Sequence, residues 1–211
     1  MTITKGERTR KRIVAAAAPL FNQRGYVGSS MSELMAATGL EKGGIYRHFS
    51  NKDELALEAF DHTLEMQRER IRSALEGKET VVERITALAR GIAGAVEKTA
   101  VPGGCPLLNT AIESDDGNTP AHRALRKRTR QAMRDTINYA RGIVQAGIEA
   151  GELPGTVDAS AEAESLVGVV EGGLMLSKLY EDPHYVRQAV DRIYNHFKRL
   201  ASTRRRAPTK R

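Results

Sequence analysis

Ser30-Met31-Ser32-Glu33-Leu34-Met35-Ala36-Ala37-Thr38-Gly39-Leu40-Glu41-Lys42-Gly43-Gly44-Ile45-Tyr46-Arg47-His48-Phe49 is the stretch on which the fold turns. Ser30 and Glu33 stand at the spacing of a capping box, in which hydroxyl and carboxylate each satisfy a backbone amide at a helix start. A short helix is therefore expected over 30–38. Gly39 supplies a turn, and a second short helix follows over about 42–49. Two short helices joined by a glycine turn make a helix-turn-helix. Leu34, Met35, Leu40, Ile45 and Phe49 form its expected core. Lys42, Gly43, Gly44, Tyr46, Arg47 and His48 are left to face outward.

These outward residues suit DNA. Lys42 and Arg47 can neutralise phosphate or donate to guanine, and Tyr46 and His48 can donate to phosphate or touch a thymine methyl. Gly43 and Gly44 each cost a helix about 1 kcal/mol against alanine, but permit close approach to base edges. Ser29 and Ser30 lie at one helix N-terminus and Lys52 at another, where backbone amides and the helix dipole favour an anion.

Helical periodicity continues on both sides, and no segment alternates as a strand does. Over 7–24, Ile13, Ala16, Ala17, Leu20 and Phe21 make one apolar stripe, Pro19 introduces a kink, and Gly25 ends the helix. Ser50-Asn51-Lys52-Asp53-Glu54 opens a long fourth helix that reaches 75 before Gly77. Further helices are expected over 80–98, from Cys105-Pro106, over 120–150, from 158 or 160 to 180, and over 183–200. The fold class is thus all-α with about nine helices. A three-helix DNA-binding domain is expected over 1–52, a helical body over 53–203, and a basic disordered tail over 204–211.

Charge follows the same division. Residues 1–52 hold nine Lys/Arg against three acids, residues 53–203 hold nineteen against twenty-three, and the tail adds five bases. A basic head on a mildly acidic body is the electrostatic footprint of polyphosphate binding. No stretch approaches the apolar length of a membrane span, so no membrane partner is expected and a cytoplasmic location is the simplest expectation. The single cysteine, Cys105, leaves no disulfide framework or cysteine-rich metal site, and no cofactor is expected. No His-Glu-x-x-His, P-loop or dinucleotide loop is present, so no enzyme activity is expected. The rival to a regulator is an architectural protein that binds DNA without sequence preference or effector, but that role needs no long acidic helical body.

Gly25-Tyr26, Ser29-Ser30, the run from Gly39 to Phe49 and Asn51-Lys52-Asp53-Glu54-Leu55 resemble the signature of the tetracycline-repressor (TetR/AcrR) family. The resemblance implies that the third helix enters the major groove. It also implies that Lys42, Gly44, Tyr46 and His48 contact DNA and that Lys52 binds phosphate. Gly44 stands where many members carry Thr or Ser, so a hydroxyl contact to a base is absent there. For the body, the resemblance implies effector binding and a homodimer paired through the last two long helices. Leu166, Val169, Val170, Gly173, Ser177 and Tyr180 are candidates for that seam, although a small-residue seam equally suits an internal core. A dimer would read a palindromic double-stranded operator, its recognition helices about 34–36 Å apart. An effector that binds two spacings unequally would then release a repressor.

The effector itself is a small molecule of unknown identity. Asn109, Tyr139 and Met66 are pocket candidates by position, and Glu171 sits within an apolar run, either as a ligand-binding acid or as a partnered structural one. Cys105 follows Gly103-Gly104 at an expected helix start, where a thiolate is favoured. Gly-Cys at this place also resembles a branch of the family that includes electrophile-responsive repressors, with Lys178 matching a lysine of that branch. Cys105 is thus either a thiol switch or a small buried cap. The basic run Arg123, Arg126, Lys127, Arg128, Arg130 and Arg134 reads as a solvated helix face.

Overall fold

The computed structural model describes residues 4–94, 103–114 and 118–204. Among them are nine helices and no strand: α1 (Lys5–Gly28), α2 (Met31–Thr38), α3 (Lys42–Tyr46), α4 (Lys52–Leu75), α5 (Val81–Ala93), α6 (Pro106–Glu113), α7 (Pro120–Glu149), α8 (Ala159–Leu179) and α9 (His184–Arg204). The all-α expectation holds. The expected end of the fifth helix beyond 94, residues 115–117 and all of the expected tail except Arg204, which ends α9, lie outside the described residues.

The chain forms two compact units, each discontinuous in sequence. One draws on residues 4–66 and 103–132, the other on 67–94 and 133–204. The expected functional boundary at 52 therefore falls inside the first unit.

In the first unit, α1 opens on a Thr4–Glu7 capping box and buries Ile13, Val14, Ala17 and Ala18. Gly25 breaks it with φ 77°, a left-handed value that L side chains avoid, and one irregular turn carries on to Gly28. α2 has the expected Ser30–Glu33 capping box and ends at Gly39 with φ 66°. α3 is shorter than expected and stops at Tyr46. Its two glycines are poor helix formers and Glu41 gives it no side-chain cap. The chain from Arg47 to Phe49 remains tied to it, since the amides of His48 and Phe49 both donate to the Ile45 carbonyl (2.9 and 3.2 Å). Leu34, Ile45, Phe49 and Leu55 join Ile13, Val14 and Ala17 in one buried cluster, with Leu20, Phe21, Met31, Met35 and Leu40 packed against it.

In the second unit, α5, α8 and α9 pack on one another. Of the two readings open for the small-residue seam, a dimer seam or an internal core, the internal one describes four of its residues. Leu166, Val170, Gly173 and Ser177 form the inner face of α8 and are buried within the unit. A Cβ on Gly173 would lie 2.7 Å from Ala189 Cβ and 3.0 Å from Val186 Cα of α9. The Val186 amide donates to Ser177 Oγ at 3.0 Å. The small residues therefore serve close approach of α8 to α9 within one chain. Val169, Met175, Leu179 and Tyr180 are the large apolar residues that α8 and its end leave exposed.

Candidate nucleic-acid interface

The reader is held by its apolar side. Ile45 within α3 and Phe49 just beyond it are buried, one helical turn apart, which decides what faces out. Lys42, Gly43, Tyr46 and Arg47 are exposed, and Gly44 and His48 are half-buried. The six expected outward residues thus share one segment, with the glycines at its start. A Cβ on Gly43 would meet nothing within 4 Å, so the backbone there is open to a partner. At Gly44 a Cβ would make ordinary contact with the Leu40 side chain, 3.5 Å from its Cβ. Lys42 Nζ lies 5.9 Å from the Tyr46 ring centroid, which keeps cation and ring on one face.

The two flanks differ from one another. Ser30 is exposed, and its hydroxyl accepts the Glu33 amide (3.3 Å) while the Glu33 carboxylate accepts the Ser30 amide (2.8 Å). Ser29 is fully buried at 0% exposure, and its hydroxyl donates to the Gly25 carbonyl at 2.6 Å. That hydroxyl secures the turn between α1 and α2. Lys52 is half-buried beside Tyr26, and burial pulls its pKa down.

Below the reader, Arg10 of α1 ties to α4. Its Nε donates to Glu58 at 3.1 Å, its Nη2 reaches Glu54 at 2.5 Å, and its guanidinium stands 4.2 Å from the Phe49 ring centroid. One cation thus holds α1, the end of the reader and the start of α4 together.

The expected effector residues are divided between the two units, with Met66, Cys105 and Asn109 in the first and Tyr139, Glu171 and Lys178 in the second. Asn109 spends its side-chain amide on the backbone carbonyls of Asn22 (3.0 Å) and Gly103 (2.8 Å), which explains it structurally. Cys105 is the N-cap of α6, as expected, and only 2% exposed. Tyr139 and Lys178 are exposed on α7 and α8, and Glu171 is buried on α8. Met66 is half-buried on α4. A small cavity in the first unit is lined by Phe21, Asn22, Tyr26, Phe60, Pro106 and Glu113 among others, and by none of these candidates. Two residues that sequence reasoning missed are Tyr26 as a packing hub and Glu113 as its partner. Their contact joins positions 87 residues apart, which no local pattern records.

The family described as "Bacterial regulatory proteins, tetR family" matches residues 13–59. That described as "Tetracyclin repressor-like, C-terminal domain" matches residues 81–193. The chain belongs to the TetR family. It is similar, at 43% identity and a TM-score of 0.85, to a solved TetR transcriptional regulator from Chloroflexus aurantiacus J-10-FL, with 92% of this chain and 96% of that one covered. It is 30% identical to the HTH-type transcriptional repressor ComR of Escherichia coli K12 over 72% of this chain and 71% of that protein. It is 27% identical to the HTH-type transcriptional regulator LmrA of Bacillus subtilis 168 over 80% of this chain and 86% of that protein. This TetR-family chain is a DNA-binding transcriptional regulator of the helix-turn-helix type. No helix among the described residues is long and apolar enough to cross a membrane.

Proposed function

We propose that the chain is a repressor that binds a palindromic operator as a homodimer and leaves it when a small-molecule effector binds the body. The observation that carries this reading is the α3 segment, which buries Ile45 and Phe49 and presents Lys42, Tyr46 and Arg47. One such segment contacts few base pairs, and a two-fold dimer doubles the site. The exposed Val169, Met175, Leu179 and Tyr180 of the second unit are the apolar surface for pairing. In this proposal Lys42 and Arg47 read bases, Tyr46, His48, Ser30 and Lys52 hold phosphate, and Gly43 and Gly44 let the backbone come close. Residues 53–203 hold effector and dimer functions, and α4 carries the change from body to reader. The relation to a relative named as a repressor supports repression. The buried state of Cys105 favours the reading of that residue as a cap, with a reversible ligand as effector.

Selection of bound sequences from a random duplex pool tests the proposal, followed by sedimentation of the complex. The expected result is a two-fold symmetric sequence bound by two protomers. Equal affinity for all sequences at physiological salt would instead indicate an architectural protein.

A further inference from the structure

α6 is fastened to the end of α1 at two places. Near the start of α6, Asn109 donates to the Asn22 carbonyl and Asn22 Nδ2 donates to the Gly104 carbonyl at 3.2 Å. At its other end, the Glu113 carboxylate accepts two backbone amides, that of Tyr26 at Oε2 (2.8 Å) and that of Val27 at Oε1 (2.7 Å). These amides need an outside acceptor, because the left-handed Gly25 has turned the chain out of the α1 ladder. The carboxylate lies close against this turn: a Cβ on Gly25 would be 2.6 Å from Glu113 Oε1. Just beyond the gripped amides come Ser29, bonded back to Gly25, and Ser30, the N-cap of α2.

We infer that Glu113 is a positioning residue for DNA binding, which from α6 fixes the direction in which the chain leaves α1 and enters α2. The inference rests on the DNA-reading proposal above. A carboxylate gripping two adjacent amides makes charge-assisted bonds of defined direction, unlike a surface ion pair between two flexible side chains. It also offers a route from the helical body to the reader besides α4. A displaced α6 withdraws the acceptor, the amides of Tyr26 and Val27 turn to water, and the α1–α2 junction loses its fixed direction.

The test uses the full chain and the variants Glu113→Gln and Glu113→Ala, with thermal melting to establish that each folds. Amide hydrogen exchange at Tyr26 and Val27 is expected to speed up by about tenfold in the alanine variant and less in the near-isosteric glutamine, which keeps one acceptor oxygen. The Kd for the DNA sequence selected by wild type is expected to rise about tenfold, while that for random duplex, set by phosphate contacts, stays within about twofold. Unchanged exchange at these two amides overturns the inference, as does an unchanged Kd for the selected sequence or an equal rise for both DNAs. Wild-type protein that selects no sequence overturns the DNA-reading proposal and this inference with it. Wild type that selects a sequence, with variants that bind it equally well, overturns this inference alone.

Discussion

Lys52 stands with its Nζ 4.6 Å from the centroid of the Tyr26 ring, and the Tyr26 hydroxyl donates to Asp53 beside it. Burial, and then this bond, pushes the Tyr26 pKa up to about 12, so the phenol stays a neutral donor throughout the physiological range. The ring of a residue at the end of α1 thereby aims a cation at the start of α4.

If that cation holds a phosphate, Lys52→Ala should weaken binding to every DNA sequence alike and lower the salt dependence of log K by about one per protomer. A titration against selected and random duplex at several salt concentrations measures this. An unchanged slope would remove Lys52 from the interface.

The acid limb of stability has a named contributor. Glu54 is held at a pKa of about 2, first by the Ser50 amide bond and then by Arg10. A folded value below the unfolded one, about 4.3, means that the stabilisation is complete above the unfolded value. It is lost as pH falls from there towards 2. The carboxylate is about a third exposed, so solvent screening reduces its contribution to about 1 kcal/mol. Glu54→Gln should remove that part of the pH dependence, read as denaturation midpoints across the window.

The reader was legible in the sequence because its signals are local. Ser30 and Glu33 are three positions apart, Gly39 carries its own backbone preference, and Ile45 and Phe49 lie on one face of a single turn. The limits of α8 and the start of α9 were readable for the same reason, whereas α9 runs on to Arg204, past its expected end near 200. Periodicity shows that Val170, Gly173 and Ser177 share a face but not what that face meets, so dimer seam and internal core stay equally open on sequence. The bond from the Ser29 hydroxyl to Gly25 was not legible, because its acceptor is freed only by the Gly25 turn. Glu113 sits on a short helix with no pattern linking it to α1, and no local pattern pairs the Asn109 amide with the Asn22 carbonyl.

The two faces of α8 should respond oppositely to substitution. Gly173→Val must displace Ala189 and the α9 backbone, so it should cost the second unit about 1–3 kcal/mol. Leu179→Glu, at a site 68% exposed, should leave the melting of isolated protomers nearly unchanged but weaken dimerisation. Sedimentation equilibrium separates the outcomes. A dimer that survives charges at both Leu179 and Met175 would place the pairing surface elsewhere.

Cys105, buried at the α6 N-cap, should react slowly with a thiol reagent in the native protein and quickly after denaturation. Cys105→Ser should release DNA in response to effector as wild type does. Loss of response in that variant alone would restore the thiol switch.

In the proposed function, α3 and the turn after it read base sequence. The most direct measurement is the set of sequences selected from a random pool by wild type and by Arg47→Ala, with Kd values for the winners. Loss of the guanidinium should relax preference at one base position, repeated symmetrically in both half-sites, and cost about 1–3 kcal/mol on the wild-type site. The same preferences at wild-type affinity would contradict the account.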